Sequence, residues 1–221
     1  MCGIFGSTEK QKFLTLYNLN KKRGNFAVGT TFLNQSAMVI RKQEGVVEPA
    51  KLLRNTEDVN FDLYLGHTQA PTSTQRGYSI NTSHPFEHGD WLVAHNGVLT
   101  NFDEIKNEFD PKWKNPVDSS VIPLLFSCVK NYSKNLDETD AICSALSLLE
   151  GTFGLWIVNK RSAKTYVARC GSTVFADIYS NSFSSIKFPE SESLEEGVLF
   201  HVTPEGLTSI GNFDFNSPFS T

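Results

Sequence analysis

Met1-Cys2-Gly3-Ile4-Phe5-Gly6 opens the chain and places a thiol one residue behind the initiator methionine. Methionine aminopeptidase removes Met when the next residue is small, and Cys qualifies, so the mature chain is expected to begin with Cys2. A thiol and a free α-amine then share one residue. The amine has an unperturbed pKa of roughly 7.7–8.0, so near neutrality part of it is an uncharged base beside its own nucleophile. The thiol starts at about 8.5 and is lowered by cationic or dipolar surroundings. Gly3 and Gly6 flank an apolar pair, a pattern that predicts a buried strand start packed close to other backbone rather than a frayed terminus.

The rest of the composition is that of an ordinary globular protein. At 221 residues, 39% hydrophobic and 20% charged, the chain is long enough to bury a core and is expected to form a single domain over residues 1–221. No apolar run approaches the ~20 residues of a membrane span, so no membrane partner is expected. The N-terminus lacks the basic and apolar regions of a signal peptide, so the expected location is the cytoplasm. A net charge of −4 argues against nucleic acid as a partner, and Lys21, Lys22 and Arg23 form only a short basic cluster. The four cysteines, Cys2, Cys128, Cys143 and Cys170, include no C-x-x-C pair, so zinc-finger spacing is absent. Cys128 and Cys143 lie in apolar helical patterns and Cys170 ends a strand-like run, which predicts buried free thiols. No metal, and no P-loop or dinucleotide-type glycine pattern, is indicated, so no cofactor is expected.

Ser7 or Thr8 is positioned to cap a helix carrying Phe13, Leu16 and Tyr17, ended by Gly24. Strands are expected at Phe26–Phe32, Ala37–Arg41 and Phe61–Leu65. A polar stretch from Gly66 to Gly89 then reads as a functional loop. Trp91–Ala94 reads as a buried strand running into His95-Asn96-Gly97, and Thr100 or Asn101 caps a short acidic helix through Phe109. Asp118 stands where a helix N-cap belongs, ahead of Val121, Leu124, Leu125 and Cys128. A further helix spans about Asp137 to Glu150. Phe153–Asn159 and Thr165–Arg169 form a hairpin, and short strands follow at Val198–Val202 and Leu207–Ile210. Strands, helices and strands again favour two sheets with helices packed outside them.

A nucleophile that attacks an amide needs donors for the developing negative oxygen. Asn96-Gly97 offers an amide side chain and a following backbone N–H, and loss of one such donor typically costs ~10²–10³ in rate. The same dipeptide is also the usual tight-turn pair after a strand. Asp118 is either a helix cap or a carboxylate for a substrate ammonium. His67, His84 and His95 each read individually as satisfied structural histidines, and Arg23 as the cationic end of a helix.

Order and spacing join these pieces. Met1-Cys2-Gly3-Ile4-Phe5-Gly6, Arg23-Gly24, Gly66-His67-Thr68, His95-Asn96-Gly97, Asp118-Ser119-Ser120 and Leu149-Glu150-Gly151-Thr152-Phe153 resemble the serial motifs of class II glutamine amidotransferase domains. These belong to the N-terminal nucleophile hydrolases. The resemblance covers most of the chain and implies an α+β fold, the four-layer αββα sandwich. It implies that Cys2 attacks the glutamine carboxamide with its own α-amine moving the proton. It further implies that Asn96 and Gly97 form the oxyanion hole and Asp118 binds the substrate α-ammonium. Arg23 would support the nucleophile, and Thr72 would contact substrate. The implied partners are glutamine and a separate ammonia-accepting synthetase.

The chain departs from the family pattern at three places. Gly66-His67-Thr68-Gln69 carries Gln69 where the family's Gly-His-x-Arg has an arginine for the substrate α-carboxylate, and neutral Gln cannot give bidentate charge-assisted pairing. Arg76, further along the same stretch, is a candidate replacement. Asn25-Phe26-Ala27 follows Arg23-Gly24 without the usual Asp-Ser pair. The chain also ends near where such a domain ends, so the ammonia-consuming half is expected to be a separate protein or to be absent. Two other readings follow: an amidohydrolase acting on a different amide, favoured by Gln69, and a degenerate regulatory domain, disfavoured by the presence of both Cys2 and Asn96.

Overall fold

Successive side chains leave a strand on opposite faces, and Ile4 and Phe5 of the first strand consequently enter different cores. Ile4 packs with Leu65, Leu92 and Trp156, whereas Phe5 packs with Phe13, Tyr17 and Phe32. The computed structural model describes residues 1–56, 58–70, 78–132 and 135–215; Thr72 and Arg76 lie outside the described residues.

The chain runs through β1 (Gly3–Ser7), α1 (Lys10–Asn20), β2 (Ala27–Leu33), β3 (Met38–Glu44), the short α2 (Pro49–Leu52) and β4 (Leu63–Gln69). It continues through β5 (Phe86–His88), β6 (Trp91–Leu99), α3 (Phe102–Phe109), a single 3₁₀ turn at Asp118–Ser120, α4 (Val121–Tyr132) and α5 (Glu138–Leu146). Then follow β7 (Gly151–Asn159), β8 (Thr165–Cys170), β9 (Phe175–Asp177), β10 (Ser182–Ser184), β11 (Glu192–Ser193), β12 (Val198–Thr203) and β13 (Gly206–Asn212). A seven-stranded sheet has the order β11-β9-β10-β1-β4-β2-β3, and a six-stranded sheet the order β13-β12-β8-β7-β6-β5. Neighbouring strands in both are antiparallel.

Three cores separate four layers. Phe13, Leu16, Tyr17 and Leu52 of α1 and α2 cover the outer face of the seven-stranded sheet at Phe5, Phe32 and Tyr64. Ile4, Leu65, Leu92, Ala94, Trp156 and Val158 fill the space between the sheets. Val93, Leu155, Ile157 and Tyr166 face outward against Val121, Leu125, Ile142 and Leu146 of α4 and α5. Central strands buried on both faces read as continuous apolar runs, as Leu155–Val158 does. The architecture is the expected αββα sandwich. Trp156 ties its middle together: the fully buried indole N–H donates across the gap to the Gly66 carbonyl at 3.1 Å.

Several local expectations are corrected. Neither Ser7 nor Thr8 is the N-cap of α1. Glu9 holds that position without a side-chain bond, because Ser7 is buried at the end of β1 and its hydroxyl accepts the Glu9 N–H. α1 stops at Asn20, well short of Gly24, and Asn20 turns its amide inward to the Leu16 carbonyl and Ser184 Oγ. The polar stretch from Gly66 to Gly89 is not one loop. Gly66–Gln69 completes β4, where its polar side chains find buried partners, and Phe86–His88 forms β5. β9, β10 and β11 carry no alternating signal, being two or three residues long. They are strands through register with their neighbours, as in Phe5 opposite Ser184. Of the three cysteines expected to be buried, Cys170 is, whereas Cys128 and Cys143 are only half-buried; all three are free thiols.

The Trp156 bond gives a stability prediction. Trp156→Phe removes this inter-sheet hydrogen bond and should lower unfolding free energy by about 1 kcal/mol. Urea denaturation with an unchanged m-value checks this; no measurable loss of stability would contradict the bridge.

Candidate active site

Cys2 lies immediately ahead of β1, at the edge of the gap between the sheets. It lines a cavity of about 460 Å³ together with Arg23, Ala70, Asn96, Gly97, Val98, Thr152, Thr173 and their neighbours. The register of β1 against β4, with Gly3 opposite Thr68, brings Ala70, just after β4, beside the thiol. Arg23 reaches back from the end of the α1 segment. Its Nε donates to the Cys2 carbonyl at 2.7 Å and its Nη1 to the Ser185 carbonyl at 3.2 Å. The guanidinium therefore fixes the backbone on which the thiol stands. Gly24 is required beside it, since a Cβ there would lie 2.3 Å from the Gln69 carbonyl carbon.

Burial pushes the Cys2 thiol above its ordinary pKa, and the nearby Asp118 carboxylate adds to the rise. The Ala70 N–H, the positive chain terminus and Arg23 oppose it without cancelling it. Met1 shares the cavity, so while it is attached the nitrogen of Cys2 is a peptide amide and cannot act as a base. 

Asn96 and Gly97 do not form a turn. They sit inside β6, opposite Gly154 and Phe153 of β7, which overturns the tight-turn reading of the dipeptide. Asn96 is buried and its Nδ2 donates to Ser185 Oγ at 3.3 Å. Gly97 has φ +156°, and a Cβ there would come within 1.9 Å of the Thr152 carbonyl oxygen. Only glycine permits β6 and β7 to approach this closely at the cavity wall.

Asp118 is likewise not a simple helix cap. It opens the 3₁₀ turn before α4, and its Oδ2 accepts the Leu99 N–H at 3.0 Å while Oδ1 accepts the Ser119 N–H at 2.7 Å. The carboxylate is thus fixed to the end of β6, close to the oxyanion candidates. Behind it, His95 Nε2 meets the Thr152 carbonyl at 3.2 Å and Nδ1 meets Ser119 Oγ at 2.8 Å. A carbonyl only accepts, so Nε2 carries the proton and Nδ1 accepts from the Ser119 hydroxyl. Burial holds this imidazole below its ordinary pKa, consistent with that neutral tautomer. His67 donates through Nε2 to the His95 carbonyl at 3.0 Å, and burial pulls its pKa down to about 3. It stacks on His84 at a centroid separation of 3.9 Å. These histidines are packing elements.

Neither Gln69 nor Asp118 lines the cavity itself. The Gln69 side chain is buried, with Nε2 donating to the Thr82 carbonyl at 3.3 Å and Oε1 accepting the His84 N–H at 3.4 Å. The geometry thus brings together Cys2, Arg23, Asn96 and Gly97, with Asp118 adjacent. Thr72 and Arg76 fall outside the described residues. Sequence reasoning missed Ser185 and Thr173, which reach the site from the β9–β10 region; a short serine run carries no signal of that role. Among the described residues no cluster of three or more His, Cys, Asp or Glu could hold a metal ion. Among the same residues no helix is long and apolar enough to cross a membrane.

No protein-family model matches the chain. It is 28% identical over 181 residues to a glutamine–fructose-6-phosphate aminotransferase (isomerizing) of Sulfurisphaera tokodaii, covering 76% of this chain and 30% of the relative. The chain therefore spans under a third of that relative's length. A solved structure described as the allosteric regulatory enzyme of purine biosynthesis superposes with a TM-score of 0.75 at 20% identity, covering 98% of this chain and 50% of the other. The glutamine phosphoribosylpyrophosphate amidotransferase of B. subtilis gives a TM-score of 0.70 at 20% identity, with the same coverage. In sequence and in fold, the chain is similar to the class II glutamine amidotransferase domains that its motifs resemble.

Proposed function

We propose that this chain is a glutaminase whose mature N-terminus is Cys2, and that it supplies ammonia to a synthetase carried on another chain or domain. The observation that carries the reading is the meeting of Cys2, Asn96 and Gly97 on one cavity, drawn from two different sheets. After removal of Met1, the Cys2 α-amine takes the thiol proton and the sulfur attacks the carboxamide carbon of glutamine. The carboxamide oxygen becomes an oxyanion, held by Asn96 Nδ2 and the Gly97 N–H. The C–N bond breaks, the proton passes to nitrogen, and ammonia leaves a γ-glutamyl thioester on Cys2. Water then breaks the C–S bond to give glutamate and restores the thiol. The Asp118 carboxylate receives the substrate α-ammonium, and Arg23 keeps the Cys2 backbone in place. Thr72, which lies outside the described residues, is proposed to contact the substrate.

One observation favours a second reading. Gln69 is neutral and engaged with Thr82 and His84, so it offers no charge for an α-carboxylate. If Arg76 does not supply that charge, the substrate is a different amide. Alanine at Arg76 tests its part in the first reading: a large rise in glutamine KM supports it, and an unaltered KM removes Arg76 from it.

Three outcomes are expected. Intact-mass analysis after treatment with 6-diazo-5-oxo-norleucine should show loss of Met1 and one adduct, absent in Cys2→Ala; an adduct elsewhere, or none, opposes the reading. Asn96→Ala should lower glutaminase kcat by ~10²–10³, whereas Asp118→Asn should act mainly on glutamine KM. In protein retaining Met1, burial disfavours the thiolate. Iodoacetamide labelling of Cys2 should therefore rise with pH through an inflection above the about 8.5 of free cysteine; an inflection below that value would contradict the burial effect.

A further inference from the structure

We infer that Ser185 is a positioning residue that aims the Asn96 amide at the oxyanion, an inference that rests on the glutaminase reading. Ser185 follows β10 and is 1% exposed. Its hydroxyl oxygen accepts the Ile4 N–H at 3.0 Å and Asn96 Nδ2 at 3.3 Å. Its own N–H donates to the Ile4 carbonyl at 2.9 Å. Its carbonyl accepts from Arg23 Nη1 at 3.2 Å and from Thr173 Oγ1 at 2.9 Å. One buried residue thus touches the strand that follows Cys2, the guanidinium that holds the Cys2 carbonyl, a threonine of the cavity wall and the oxyanion donor.

The chemistry of a primary amide gives this arrangement its consequence. Asn has two N–H donors on one nitrogen and an acceptor oxygen on the other side of the group. The bond to Ser185 Oγ occupies one N–H and fixes the amide plane, leaving the second N–H for the cavity. Rotated by half a turn, the group would present Oδ1 to the developing oxyanion and repel it. A serine oxygen has two lone pairs, and here Ile4 and Asn96 fill both. The same atom therefore registers where β1 stands and where the Asn96 donor stands. β1 belongs to the seven-stranded sheet and β6 to the six-stranded one, so Ser185 sets nucleophile and oxyanion donor relative to each other across the gap.

The test compares wild type, Ser185→Ala, Asn96→Ala and the double variant by ammonia release from glutamine. Ser185→Ala should lower kcat about tenfold, inside the ~10²–10³ set by loss of the donor itself, with glutamine KM nearly unchanged. In the Asn96→Ala background it should cost nothing further, because the group it positions is gone. Iodoacetamide labelling of Cys2, which needs no oxyanion, should proceed at the wild-type rate in Ser185→Ala. An additive loss in the double variant, or labelling that slows in step with kcat, would overturn the inference, since either means that Ser185 only supports β1. Full activity in Ser185→Ala with an active wild type overturns this inference alone. A wild type that releases no ammonia removes the glutaminase reading and this inference with it. Should the alanine variant fail to fold, Ser185→Cys, which keeps the shape and a weaker acceptor, serves in the same comparison.

Discussion

β1 lies between β4 and β10, and its antiparallel register with both determines where Cys2 stands. A shift of one residue would exchange the faces of Ile4 and Phe5 and empty two cores at once. The position of the thiol is therefore a by-product of packing that the protein cannot give up. The oxyanion candidates come from β6, whose own register with β7 sets Asn96 opposite Gly154 and Gly97 against Thr152. Between the two sheets run the Trp156–Gly66 bond and the polar contacts of Ser185, so the same gap that holds the fold together also sets Asn96 relative to β1.

Placing a thiol there has a cost in reactivity. Burial disfavours the thiolate, and the Ala70 N–H and Arg23 do not outweigh it. An N-terminal cysteine resolves the conflict by carrying its own base, since proton transfer to the α-amine requires no standing thiolate. The amine exists only once Met1 is gone, so the proposed mechanism requires processing before Cys2 can act as a nucleophile. Asp118 sits near enough to raise the thiol further, and its carboxylate is committed to the Leu99 and Ser119 N–H groups at the end of β6. A substrate ammonium arriving at Asp118 would neutralise that charge and ease ionisation of the thiol.

The four layers were legible because buried strands such as Leu92–Ala94 and Leu155–Val158 are apolar on both faces, and because the α4 and α5 segments show helical spacing. The candidate site was proposed at Cys2, Arg23, Asn96, Gly97 and Asp118 from a series of motifs, and the structure gathers Cys2, Arg23, Asn96 and Gly97 on one cavity, although singly each had an ordinary structural reading. Two of those ordinary readings fail for the same reason: tertiary partners override local chemistry. Asn96-Gly97 is held in a ladder instead of turning, and Asp118 gives one of its oxygens to a distant strand. Gln69 shows the reverse, a motif position whose side chain is claimed by Thr82 and His84. The contacts of Ser185 were invisible because they arise only from β10 lying beside β1 in three dimensions.

The central claim is that Cys2 forms a thioester with the γ-carbonyl of glutamine. Acid-quenched intact-mass analysis of the Met1-processed protein during turnover of glutamine tests it directly. The expected result is a transient species carrying one γ-glutamyl group on Cys2, lost on longer incubation and absent in Cys2→Ala. Release of ammonia with no acylated protein at any time, or acylation at another residue, would contradict it.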